Sequence, residues 1–164
     1  HNKVQKRMES NPIVDALLTK LLVETQAHRC FLIEFSNGKE NLTGLSFLYG
    51  RMTAQITADS IKSSMSEFSE FNLDQFRLVS DITVNGYWGG TTEELMQVDA
   101  PLAHKLLVNG THSIIMVTLY GSKSAIGVLG VSFTSETGYN EDRVESIVRR
   151  YSYQVSSAID AEKL

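Results

Sequence analysis

The side chains able to do metal or nucleophilic chemistry are few: histidines at positions 1, 28, 104 and 112, and one cysteine, Cys30. A metal centre needs His, Cys or carboxylate ligands at short recurrent separations, so that three or four converge on one ion. His28, His104 and His112 share no such spacing with one another or with Cys30. A reactive thiolate needs an exposed, electropositive setting, whereas Cys30 falls inside an alternating apolar run and reads as small core packing. No serine occupies a Gly-x-Ser-x-Gly frame. Gly127-Val128-Leu129-Gly130 and Trp88-Gly89-Gly90 approach a phosphate-cradling loop, but neither has a Lys-Ser/Thr partner or a strand-to-helix setting. The first pair of glycines reads as a bulge or close packing within a strand, the second as a turn. Glu93-Glu94 reads as the acidic start of a helix, and Arg149-Arg150 as a solvated helix flank.

What remains is aromatic. Tyr87 and Trp88 lie in the glycine-bounded run Asn85 to Gly90 and read either as core or as a pocket wall or partner anchor. Tyr49 and Arg51, just past the end of a predicted strand, are expected to face the same cavity, and His104 on a short helix is a further lining candidate. The expected ligand- or partner-binding residues are therefore Tyr49, Arg51, Tyr87, Trp88 and His104. No catalytic residue, cofactor or metal follows from the sequence.

The elements that must position these residues follow from periodicity. Ile13, Val14, Leu17, Leu18, Leu21 and Leu22 recur at helical spacing behind Asn11-Pro12, a capping pair. Arg29 to Phe35 alternates as a strand, with Phe31, Ile33 and Phe35 on one face and Cys30, Leu32 and Glu34 on the other. Asn37-Gly38 favours a tight turn, so a second strand is predicted from Leu42 to Tyr49. Between Thr57 and Val84 the spacing predicts one or two short helices broken near Asn72. Thr91 or Thr92 caps a helix carrying Leu95, Met96 and Val98. Pro101 starts another, ended by Asn109-Gly110 as a C-terminal cap. Ser113 to Tyr120 and Ser124 to Thr134 form a second hairpin around Gly121-Ser122-Lys123, apolar enough to lie centrally in a covered sheet. Asn140 caps a last helix buried along Val144, Ile147, Val148, Tyr151, Val155, Ala158 and Ile159. The order predicts an α+β fold, one antiparallel sheet with helices on a face.

Composition bounds the function. The chain has 164 residues, a formal net charge of −4, and 42% hydrophobic residues, which suits one globular domain and excludes disorder. The acidic balance argues against nucleic acid as a partner. The longest apolar stretches, Ile114 to Leu119 and Ile126 to Val131, are far short of the ~20 residues of a membrane span. A first residue of His rather than Met reads as the start of a fragment, with any membrane anchor upstream of it.

This order of elements resembles a GAF-type domain. The resemblance is carried by Ala27 to Phe35 leading to Asn37-Gly38, by Leu106 to Ser113, and by Ile126 to Phe133. The chain lacks the Asn-Lys-x-x-x-Phe-x-x-x-Asp-Glu pattern of cyclic-nucleotide binders and the cysteines of methionine-sulfoxide-reducing relatives, and Cys30 is poorly placed to attach a bilin. A narrower similarity is to the periplasmic domain of T4-type bacteriophage holins, carried by the lead-in from Lys3 to Leu22, the Ala27 to Asn37 strand and turn, and Asn140 to Ile147. That resemblance implies residues 1–26 as a helix leading in from an inner-membrane anchor and 27–164 as a GAF-like domain. It also implies a non-enzymatic role in lysis timing, with self-association and an antiholin as partners. The broader resemblance implies instead a cytoplasmic small-molecule sensor, with its ligand between the sheet and the Tyr87-Trp88 loop.

Overall fold

The computed structural model describes residues 11–37, 48–122 and 124–163. Helix α1 (Pro12–Thr25) begins where expected: the Asn11 Oδ1 accepts the N–H groups of Ile13 and Val14 at 3.0 and 3.2 Å. Its buried stripe is Val14, Leu18, Leu21 and Thr25. Strand β1 (Arg29–Asn37) pairs antiparallel with β2 (Leu48–Thr57) and, on its other side, with β6 (Ala125–Phe133). β6 pairs with β5 (Ser113–Tyr120), and β5 with β4 (Tyr87–Thr91). A two-residue β3 (Phe71–Asn72) closes the far edge, so the six strands run β3-β2-β1-β6-β5-β4, all antiparallel. The helices are α2 (Arg77–Asn85), α3 (Thr92–Met96), α4 (Ala100–Val108) and α5 (Glu141–Lys163), with single 3-10 turns at Met65–Phe68 and Leu73–Gln75.

The sheet divides the interior in two. On one face α1 and α5 lie against Cys30, Leu32, Ile115, Val117, Leu119, Leu129, Val131 and Phe133. On the other, Phe31, Ile33, Phe35, Ile114, Met116 and Val128 meet a layer made of α2, α4 and the turns, which supplies Phe68, Phe71, Phe76, Val79, Leu102 and Leu106. The alternation predicted for β1 holds residue by residue, and the near-continuous burial of β5 and β6 reflects cover on both faces. The α+β expectation is met, with helices on both faces of the sheet rather than one.

Three expectations are corrected. The second strand runs Leu48–Thr57, well beyond the predicted Leu42 to Tyr49, so Arg51 lies within it and not past its end; the predicted Asn37-Gly38 turn falls outside the described residues. The Thr57 to Val84 region holds the two 3-10 turns and β3 before α2 begins at Arg77. The Asn85 to Gly90 run is not a loop. Gly86, at φ 82°, ends α2 with its N–H on the Ile82 carbonyl at 2.7 Å, and the chain then enters β4 directly. The following glycines make room for rings: a Cβ at Gly89 would lie 2.2 Å from the Tyr87 hydroxyl, and one at Gly90 would lie 2.9 Å from the Trp88 ring.

Candidate functional site

Strand β1 opens with a charge. Arg29 is only 5% exposed, although arginine is rarely buried without a paired anion. Its Nε donates to the Lys62 carbonyl at 3.0 Å, Nη2 to the Asn109 carbonyl at 3.0 Å, and Nη1 to the Thr111 hydroxyl at 3.4 Å. All three partners are neutral. Among the described residues no carboxylate stands within ion-pair distance; Glu67 acts on Arg29 from farther away and bonds instead to Asn109 Nδ2. Burial therefore pulls the guanidinium pKa below its usual value, against the opposing pull of Glu67, without removing its charge.

Arg29 lines a small, partly enclosed cavity between the sheet and the α2–α4 layer. β1 contributes Phe31 and Ile33, β2 Met52, β5 Ile114 and Met116, and the helical layer closes it with Phe68, Phe71, Phe76, Val79, Leu102 and Leu106. Its polar lining residues are Arg29, Ser64, Asn109, Thr111 and Ser132, of which Arg29 is joined to Asn109 and Thr111 by the hydrogen bonds above and to Ser132 by the pairing of β1 with β6. The free volume is about 30 Å³, room for roughly two waters, so the protein's own side chains nearly fill the site.

None of the five residues expected to bind a ligand or partner lines this cavity. Tyr49 and Arg51 are on β2, and Tyr87 and Trp88 on β4, separated by β1, β6 and β5. That is four inter-strand steps of about 4.8 Å each, so they do not face one cavity. Arg51 binds the Ser69 carbonyl at 2.9 Å and Glu70 at 3.4 Å along an outer groove. Neighbouring positions on a strand point to opposite faces, so Trp88 packs on the α2–α4 side while Tyr87 packs on the α5 side under the Arg149 guanidinium, 5.3 Å away. Burial, with Glu141 and Glu145 beside it, raises the Tyr87 phenol pKa. His104 is exposed on the outer side of α4, with Glu67, Phe76 and Lys105.

The other chemical candidates take structural places. His28 Nδ1 accepts the Thr134 N–H at 2.9 Å, and His112 packs edge-on against Tyr139. Among the described residues no three His, Cys, Asp or Glu side chains gather as metal ligands. Cys30 is fully buried on the α1/α5 face, and burial raises its thiol pKa. Arg29 is the site residue that sequence reasoning passed over; its signal was a lone cation opening the strand, ahead of the apolar run Cys30 to Ile33.

No family model and no curated protein matches the chain. Its fold does match solved structures. The GAF domain of a two-component sensor histidine kinase from Bacillus halodurans is 13% identical, with 95% of this chain and 97% of that one covered and a TM-score of 0.69. A GAF domain from Synechocystis, captured in a photoproduct state, is 12% identical over 93% and 94% at a TM-score of 0.68. A far-red cyanobacteriochrome photoreceptor is 12% identical over 99% and 92% at 0.71. The chain thus has the GAF fold, an antiparallel sheet flanked by its terminal helices. None of these matches links it to phage holins.

Proposed function

We propose that this chain is a non-enzymatic sensor domain that takes a small molecule between its sheet and its α2–α4 layer and passes the change to its terminal helices. The observation that carries the reading is the small apolar cavity beside Arg29, set in a fold it shares with a domain of a sensor kinase. β1 supplies the coupling. Phe31 and Ile33 touch the cavity, while Cys30 and Leu32, between and beside them, pack against the layer of α1 and α5. A ligand that repositions β1 changes both packings together, because close-packed interfaces shift between discrete arrangements.

Two finer readings gain no support. A linear tetrapyrrole of the kind bound by some structural neighbours far exceeds 30 Å³, and the chain's single cysteine lies on the face of β1 turned away from the cavity. The antiholin-binding role has no observation that favours it over ligand sensing. Thermal melts against a panel of small metabolites test the proposal. A concentration-dependent rise in Tm for one chemical class is the expected result, because a ligand of the native state stabilises it by mass action. A flat response across the panel would count against it.

A further inference from the structure

Independent of what the cavity holds, the β4 end of the sheet is an interaction surface: we propose that its outer edge takes an extended segment of a partner protein as an added strand, one whose residues alternate basic with apolar. The register settles which groups are open. At one end of β4 the Thr118 N–H donates to the Gly86 carbonyl at 3.0 Å, and just past the other end the Thr92 N–H donates to the His112 carbonyl at 2.8 Å. In an antiparallel pair alternate residues bond to the neighbouring strand, so Trp88 and Gly90 face β5 while Tyr87, Gly89 and Thr91 turn their backbone groups outward. Glu94 Oε1 takes the Thr91 N–H at 2.9 Å. The N–H and C=O groups of Tyr87 and Gly89 have no partner among the described residues.

The edge is also unprotected. Edge strands are ordinarily blunted by a lysine, a proline or a bulge, and β4 carries none of these. Tyr87 packs on the α5 side and Trp88 on the α2–α4 side, yet both, with Gly89, remain partly exposed at the end of the sheet. Charge selects the occupant. Glu141 and Glu145 stand beside the Tyr87 phenol, Glu94 stands at the Thr91 end, and the exposed Glu93 is next to it. The cation beside them, Arg149, is already paired with Glu145 at 2.7 Å. Side chains of an added strand alternate between the two faces, so those on the α5 side meet these carboxylates and those on the other side meet Trp88. A second copy of this chain would bring the same carboxylates against each other, which opposes pairing of two β4 edges.

The test titrates isotope-labelled protein with a short acetylated peptide that alternates lysine with valine and threonine. Two controls run beside it: the same peptide with glutamate for lysine, and the lysine peptide N-methylated throughout, which keeps its charge but has no backbone donors. The lysine peptide should shift the Tyr87 and Gly89 amide signals, slow their hydrogen exchange at least about tenfold at saturation, and lose affinity as sodium chloride is raised. Each control should bind at least about tenfold more weakly. A variant carrying both Glu141→Gln and Glu145→Gln should lose about fivefold in affinity for the lysine peptide. Equal binding of the N-methylated peptide would reduce the interaction to charge alone and overturn the proposal, as would equal binding of the glutamate peptide or shifts confined to surfaces away from β4. Concentration-dependent broadening of the Tyr87 and Gly89 amides in the protein alone would also overturn it, by giving the edge to a second copy.

Discussion

A methyl group added at Gly127 would sit 2.3 Å from the Ile33 carbonyl oxygen, which is backbone and held by the β1–β6 ladder. Gly127→Ala should therefore destabilise the fold by about 3 kcal/mol in chemical denaturation. Gly130→Ala should cost less, since its obstruction is the rim of the Phe31 ring, a side chain that can tilt. The sequence reading of these glycines as close packing within a strand anticipated this contact. Cys30 was equally legible, being one position in an alternating run. With its thiol pKa raised by burial, it should stay unreactive toward a disulfide reagent in the native protein and react at once in denaturant; rapid native labelling would contradict its placement. Arg29 was not legible. Nothing in the local pattern distinguishes a cation that begins a strand at the surface from one that is roofed by residues 62, 109 and 111, because that roof is assembled from distant parts of the chain.

At the scale of elements, capping was the most readable signal. Asn11 and Asn140 cap α1 and α5, and Thr91 forms a reciprocal box with Glu94, all through bonds between near neighbours. Asp99 does more than its local spacing suggests: one oxygen accepts the Leu102 N–H and the other the Leu78 N–H, so a single buried carboxylate starts both α4 and α2. Asp99→Ala should cost about 3 kcal/mol, since two buried donors are orphaned at once, and should loosen the cavity's roof in hydrogen exchange. β4 was misread as a loop because Gly-rich composition usually marks a turn, while here Gly89 and Gly90 seat the rings of Tyr87 and Trp88. Trp88→Ala should accordingly act on stability, by about 3 kcal/mol, through its packing against the α2–α4 layer. α1 and α5 are joined at the surface by Glu24 and Arg150, 2.7 Å apart. The Arg150 hydrogen bond lowers the Glu24 pKa, so this contribution is complete above the ordinary value of 4.5 and is lost as pH falls through the lowered folded value. In melts against pH, wild type and Glu24→Gln should differ at neutrality and converge in acid.

The whole molecule is a three-layer arrangement in which one sheet is shared by two separate apolar cores. The α+β class and the pairing of two hairpins with two terminal helices were readable from periodicity, because each is set by runs of ten to twenty residues. The second helical layer was not, since its short turns carry aromatic residues whose common destination is defined only by β3 and the sheet face beneath them. The same limit scattered the expected binding residues: Tyr49 and Arg51 look near Tyr87 and Trp88 only until the order β2-β1-β6-β5-β4 separates them. This architecture places a small, largely apolar cavity beside Arg29 on one side of β1 and the terminal helices on the other. The most direct test of the sensing role is methyl NMR of the protein titrated with a panel of small acids and neutral molecules. The account predicts saturable shifts at Ile33, Met52, Ile114 and Met116, followed by smaller changes at Leu32 and Val117 on the opposite face. Shifts confined to the outer grooves near Arg51 or His104, with the cavity methyls unmoved at saturation, would contradict it.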